Sequence, residues 1–201
     1  MAMDVALLES AERGVPGWRV YGWDGPWISL GKQQVASRDL LNPDLVPWVM
    51  RPTGGLAVLH GHDVTVGLAL PLSSISSMED LSRSVRRVYR FLAAPLVAAL
   101  HECGLDVCLG ENSGFAGTGV KSADCFAKVS PNDIVYRSSG LKACGCALRL
   151  TSSAVLLQAS IPNGRPLVDP AIVFAEPHSP IGEAWDSSRF NEALSKRLTG
   201  L

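Results

Sequence analysis

The chain has no apolar run approaching the roughly 18 residues that a bilayer-spanning helix needs, so no membrane association is expected. It has no basic tract either. Lys and Arg number 18 against 19 Asp and Glu, a formal net charge of −1, which leaves no electrostatic footprint for nucleic acid. The amino terminus, MAMDVALLESAERG, carries Asp4, Glu9 and Glu12 and lacks a basic segment ahead of an apolar core. That excludes a secretory leader and sets the expectation of a cytoplasmic protein, where thiols stay reduced. No C-x2-C spacing occurs among Cys103, Cys108, Cys125, Cys144 and Cys146. An odd cysteine count argues against a disulfide framework, and the C-x-C at 144–146 does not suit structural zinc. The pair His60 and His62 has no evident third ligand, and no metal is expected.

There is, by contrast, ample material for a core. Hydrophobic residues make up 47% of 201 positions and charged residues 18%, the balance of a compact globular chain. With no repeat, low-complexity tract or linker, one domain over 1–201 is expected. Residues 2–12 carry Ala, Val and Leu at helical spacing, with a stop near Gly14. GWRVYGWDGPWISLGKQQ reads as two short strands joined by a turn at Asp24–Pro26, and 33–47 as a short helix and a loop. Residues 48–72 read as a β-hairpin interrupted by RPTGGLAVLHGHD, which spends two glycines on a strand edge. The best helix is 82–103, with Val85, Val88, Leu92, Leu96 and Ala99 on one face, and Pro95 predicts a kink or break. Its other face carries Arg83, Arg86, Arg87 and Arg90, either a solvated surface or a dock for an acidic partner.

Residues 105–124 read as loop. Within them GFAGTGVKS approximates a phosphate-binding loop, but Val120 puts Lys121 out of register and no apolar strand leads in. DIVYR, LKACGCALRL and AVLLQASIP then read as a β-meander, and 186–199 as a closing helix. The whole is an α/β (α+β) domain, with a mixed, largely antiparallel sheet flanked by helices.

Five blocks in order carry a resemblance: MAMDVALL, YGWDGPWISLGKQQ, RPTGGLAVLH, DCFAKVSPNDIVY and GLKACGCALR followed by LLQASIP. They resemble the lipoate-protein ligase and octanoyltransferase family, whose catalytic fold is shared with biotin-protein ligases, over about residues 1–175. The family patterns they approximate are N-M-A-x-D-x-A-L-L, S-x-G-x-x-Q, R-R-x-T-G-G-x-A-V-x-H, C-F near D-[IL], and G-[RK]-K-[ILV]-x-G-S-A-x-R with L-x-H-G-S-[IL]. This chain departs from them at Met50, where a second arginine stands in the family, at Cys146 in place of serine, and at Ala159, beside which the histidine is missing. It also starts at the first helix, without the family's preceding strand.

The resemblance implies roles residue by residue. Lys142 would stabilise negative charge during acyl transfer, and Cys125 would carry the acyl group as a thioester. Arg51, Thr53, Gly54, Gly55, Ala57, His60, Gly145 and Ala147 would shape the substrate site, with the bare glycine pair against the acyl chain. On residue chemistry alone Lys142 is equally an edge-strand surface lysine, Cys125 an inert thiol and the glycines a turn. The implied activity is protein lipoylation, transfer of an octanoyl or lipoyl group to a lysine of lipoyl-carrier domains. Leu56, standing where adenylate-forming ligases carry a third glycine, and the lack of a ligase accessory domain after residue 180 favour the transferase. A transferase needs no cofactor and would draw on octanoyl-acyl carrier protein. A lipoate ligase would need lipoate, ATP and magnesium. The acceptors would be lipoyl domains of 2-oxoacid dehydrogenases or the glycine cleavage H protein. A non-catalytic relative that binds acylated carriers or lipoyl domains is the third reading. If Lys142 only supplies charge, Lys142→Ala should abolish transfer and spare the fold.

Overall fold

Two sheets share the chain. The computed structural model describes residues 1–75, 84–177 and 184–199. The larger sheet has six strands in the order β1 (Gly17–Tyr21), β5 (Asp63–Pro71), β9 (Ala154–Pro162), β8 (Lys142–Leu150), β7 (Ile134–Tyr136) and β6 (Val107–Leu109), antiparallel throughout. The smaller has three: β3 (Trp48–Met50) pairs parallel with β2 (Trp27–Leu30), which pairs antiparallel with β4 (Val58–His60). This is the mixed α+β architecture expected, and the β7–β8–β9 meander falls where the three apolar runs stand.

The period-two alternation of the central strands decides which helix each face receives. Val66, Leu68 and Leu70 of β5 and Val155, Leu157 and Ile161 of β9 pack against Val88, Leu92, Leu96 and Leu100 of α4 (Val85–Glu102) and Phe190 and Leu194 of α5 (Ser187–Leu198). On the opposite face Ala69, Ala154 and Leu156 take Leu8 and Ala11 of α1 (Ala2–Glu12). The small sheet closes its own core with Ile28, Leu30, Ala57, Leu59 and Phe174. Two one-turn helices, α2 (Ala36–Asp39) and α3 (Leu72–Ile75), and 3-10 turns at Gly110–Asn112, Cys125–Ala127 and Pro170–Ile172 complete the elements among the described residues.

Several expectations are corrected. Residues 48–72 form no hairpin: β3 and β4 flank β2 on opposite edges of the small sheet, and β5 crosses to the large one. The two strands at 17–30 likewise part into different sheets. A local pattern specifies a strand but not its partner, which is chosen by long-range packing. α4 runs unbroken through Pro95, Val85 is 57% exposed, and β6 lies inside the stretch read as loop. Arg86 and Arg90 both engage Glu111, so part of the arginine face serves a neighbouring loop; Arg83 lies outside the described residues. No helix among them is long and apolar enough to cross a membrane.

Candidate active site

The crossover from β3 to β4 is built around one buried cation. Arg51 is 5% exposed and has no carboxylate within ion-pair distance among the described residues. Its Nη2 donates to the carbonyls of Gly54 at 2.7 Å and Leu56 at 2.6 Å, and its Nη1 to the Ser29 carbonyl at 2.9 Å and hydroxyl at 3.3 Å. Its Nε reaches Thr53 Oγ1 at 3.1 Å and the Gly54 carbonyl at 3.2 Å. Every guanidinium edge is thereby used on the chain itself, holding the loop on β2. Thr53 then donates to Gln158 Oε1 at 2.8 Å, and Gln158 donates to Asp4 of α1 at 2.6 Å. Gln158, standing where the pattern L-x-H-G-S-[IL] has its histidine, thus ties the two sheets and the first helix together.

The glycines of this loop also answer to the packing of the chain itself. Gly55 has φ +88°, a backbone conformation that side-chain-bearing residues rarely adopt, and a Cβ there would stand 3.1 Å from Arg51 Nη2. Gly54 opens on space, with nothing within 4 Å of a built Cβ. The close approach is made by Gly31, whose Cβ would stand 1.9 Å from the Gly55 carbonyl oxygen. The glycine that the packing demands is therefore the one in S-x-G-x-x-Q.

Between the sheets lies a cleft enclosing about 360 Å³ of atom-free space, part of it open to solvent. Ser29, Val58 and His60 of the small sheet face Cys125, Gly145, Cys146, Ala147 and Ala159, with Arg51 and Trp23 at its sides. Of the residues singled out by resemblance, Cys125, His60, Arg51, Gly145 and Ala147 meet here. Gly55 instead lines a second cleft with Leu56, Arg38 and Lys121. Ala57 is fully buried and acts through its main chain, its carbonyl accepting the Cys125 N–H at 2.8 Å. This pins the Cys125 segment beside β4.

Lys142 sits behind Cys125 at the start of β8, 3% exposed. Its Nζ pairs with Asp133 Oδ2 at 2.7 Å, donates to the Cys125 carbonyl and lies 3.8 Å from Cys125 Sγ. The sequence alternative of a surface lysine is thus excluded. Burial opposes its charge, but Cys125 and Asp133 outweigh that, and the ammonium is held above the usual lysine range. The Cys125 thiol goes the same way for another reason: burial pushes it up, Lys142 and Arg51 pull it down, Asp133 and Asp124 oppose them, and the net is upward. The expected positive neighbour is in place, yet burial keeps the resting thiol protonated. Gly145 stands across from it, where a Cβ would come to 3.4 Å from the sulfur.

On the small-sheet wall of the cleft, His60 is fixed at both nitrogens, Nε2 to Ser29 Oγ at 2.7 Å and Nδ1 to Asp63 Oδ2 at 2.8 Å. Trp23 stacks on its ring at 4.2 Å. With both nitrogens taken, the His60–His62 metal reading has no support, and no group of three metal-binding side chains occurs among the described residues. Reading the sequence by blocks missed Ser29, Asp63 and Asp133 as site residues. Ser29 and Asp133 were signalled as the serine of S-x-G-x-x-Q and the aspartate of D-[IL].

An octanoyltransferase LipM from Exiguobacterium sp. is 35% identical over 187 residues, 87% of this chain and 63% of that protein. The chain thus spans less than two thirds of that relative's length. A lipoate-protein ligase A bound with ATP matches at TM-score 0.68 and 19% identity, over 99% of this chain and 78% of the other. A structure from an archaeal lipoylation system, described as a bipartite lipoate protein ligase and its E2 lipoyl domain from Thermoplasma acidophilum, matches at TM-score 0.56 and 20% identity, over 97% of this chain and 67% of the other. At those identities the solved structures speak for the fold alone. Residues 1–163 match the profile of the lipoyl protein ligase A/B catalytic domain, and the chain belongs to that family.

Proposed function

We propose that this protein is an acyltransferase of protein lipoylation, moving an octanoyl group to a lysine of a lipoyl-carrier domain through a thioester on Cys125. The observation that carries the reading is Cys125 on the wall of the cleft, with the Lys142 ammonium 3.8 Å from its sulfur and a glycine opposite. In the first step the thiol attacks the donor thioester. The Cys125 S–C bond forms, the donor C–S bond breaks, and the thiol proton goes to the departing donor thiol. In the second step the acceptor amine attacks the acyl-enzyme, and sulfur leaves beside Lys142. A fixed ammonium in a water-poor site favours both moments of thiolate character, a stabilisation of a kind typically worth about 3 kcal/mol. Held above its usual range, Lys142 serves as a charge and not as a base.

In the same reading, His60, Gly145 and Ala147 line the acyl site. Arg51, Thr53, Gly54, Gly55 and Ala57 hold the loop and strand that position Ser29 and Cys125. An octanoyl-carrier protein is the donor, supported by the name of the Exiguobacterium relative. A lipoyl domain is the acceptor, supported by the Thermoplasma ligase and its E2 lipoyl domain. No cofactor takes part in these two steps.

The test is mass spectrometry of the protein after exposure to octanoyl-carrier protein. One octanoyl adduct should appear, neutral hydroxylamine should strip it, and Cys125→Ala should never acquire it. A fully active Cys125→Ala that requires octanoate, ATP and magnesium would establish an adenylate-forming ligase instead. A wild type inactive under both conditions would point to a binding relative without catalysis.

A further inference from the structure

The two acyl-transfer steps differ in their protons. Exchange of one thioester for another is proton-neutral. Aminolysis is not: a lysine arrives as an ammonium, and ammonium plus thioester gives amide, thiol and one surplus proton. That proton needs an acceptor inside the cleft. Lys142 is already an ammonium paired with Asp133, and the departing Cys125 sulfur takes up only one proton.

The opposite wall carries a base in position. Ser29 and Val58 are directly paired between β2 and β4, and His60 follows two residues on, so the three share one face. That face closes the cleft. Just before β4, Ala57 bridges to Asp124 and its carbonyl accepts the Cys125 N–H, so β4 lies between Ser29 on β2 and the single turn Cys125–Ala127, and Ser29 and Cys125 line the same cleft. His60 Nδ1 faces Asp63 Oδ2, which also accepts from Ser160 Oγ at 2.6 Å and Thr65 Oγ1 at 3.1 Å. Burial pushes the Asp63 carboxyl up, but His60, the Ser160 hydroxyl and the Gly61 N–H outweigh it and hold it below its usual range. An acceptor-only carboxylate there sets the proton on Nδ1 and leaves Nε2 free to accept from the Ser29 hydroxyl, 2.7 Å away. Ser29 Oγ in turn accepts from Arg51 Nη1 at 3.3 Å, a cation placed to ease negative charge on that oxygen.

We propose that Ser29, His60 and Asp63 form a proton relay for the aminolysis step, an inference that rests on the acyl-enzyme reading above. The amine N–H passes its proton to Ser29 Oγ as the Ser29 proton passes to His60 Nε2. The C–N bond forms, the C–S bond to Cys125 breaks, and the imidazolium releases its proton to solvent after the amide leaves. Asp63 is a positioning residue: it fixes the tautomer and faces the imidazolium. The arrangement matches the logic of Ser-His-Asp triads, with the serine conducting a proton instead of attacking.

The relay predicts a split that a merely structural role does not produce. Octanoyl-Cys125 protein, isolated after loading from octanoyl-carrier protein, is mixed with a purified lipoyl domain or with neutral hydroxylamine, and loss of the adduct is timed. Hydroxylamine is unprotonated at neutral pH and has little need of a buried base. Ser29→Ala, which deletes one hydroxyl, and Asp63→Asn, which upsets the tautomer, should each slow transfer to the lipoyl domain about 100-fold or more. Both should keep hydroxylamine discharge within about threefold of wild type. Equal slowing of both discharges, or unchanged transfer in Ser29→Ala, would overturn the relay. A wild type that never loads would overturn the acyl-enzyme reading beneath it.

Discussion

Replacing Lys142 by methionine removes an ammonium while keeping most of the side chain's volume, so charge is isolated from packing. What stays behind decides the outcome. Asp133 is 2% exposed, and the Ser130 N–H donates to its Oδ2 at 2.7 Å. Deleting one partner of a buried ion pair costs about 3–5 kcal/mol because the other charge is stranded. For a domain of this size each kcal/mol lowers Tm by about 2–4 °C, so a fall on the order of 10 °C is expected. The sequence reading, in which loss of Lys142 spares the fold, is therefore revised. Acyl transfer should fall by two or more decades, the equivalent of about 3 kcal/mol of electrostatic stabilisation. The second substitution separates the effects. Lys142→Met/Asp133→Asn removes the stranded carboxylate and should recover most of the Tm while transfer stays lost. Thermal melts and timed octanoyl transfer to a lipoyl domain measure the two quantities. A double variant recovering both would refute the charge-stabilising role, and an unchanged Tm in the single variant would refute the buried pair.

Two further perturbations probe the glycine loop and the thiol. Gly55→Ala should lower stability by about 1–2 kcal/mol, because alanine is strained in the left-handed region and its Cβ would press on Arg51, whereas Gly54→Ala should be nearly neutral. Equal losses in paired urea melts would show that backbone conformation is not what selects glycine at 55. For Cys125, the upward displacement predicts alkylation by iodoacetamide that keeps accelerating at pH values where an unperturbed thiol has levelled off. The linkage has a definite sign: the folded state holds this proton more tightly, so its stability is complete below the unfolded thiol's pKa and is lost as pH rises through the folded value. A plateau below the ordinary thiol range would mean that Lys142 outweighs burial.

Elements with a strong local period were legible in the sequence. The helices at α1, α4 and α5 and the meander β7–β9 follow from apolar spacing and glycine stops, because helix and strand preferences are set within a few residues. The five ordered blocks identified the family and pointed to Lys142 and Cys125. Pairing was not legible: RPTGGLAVLHGHDVT looks locally like one broken hairpin, yet β3, β4 and β5 are divided between two sheets by contacts with β2, β1 and β9. Nor could the sequence tell a surface lysine from a buried one, since Asp133, nine residues upstream, meets Lys142 only across the β7–β8 connection. The role of Gly31 depends on a carbonyl 24 positions away at Gly55, and the Ser29–His60–Asp63 contact on the register of β2 against β4. Composition and periodicity report what each residue prefers. Which buried groups share hydrogen bonds, and so which protons can move, is decided only when distant strands are brought side by side.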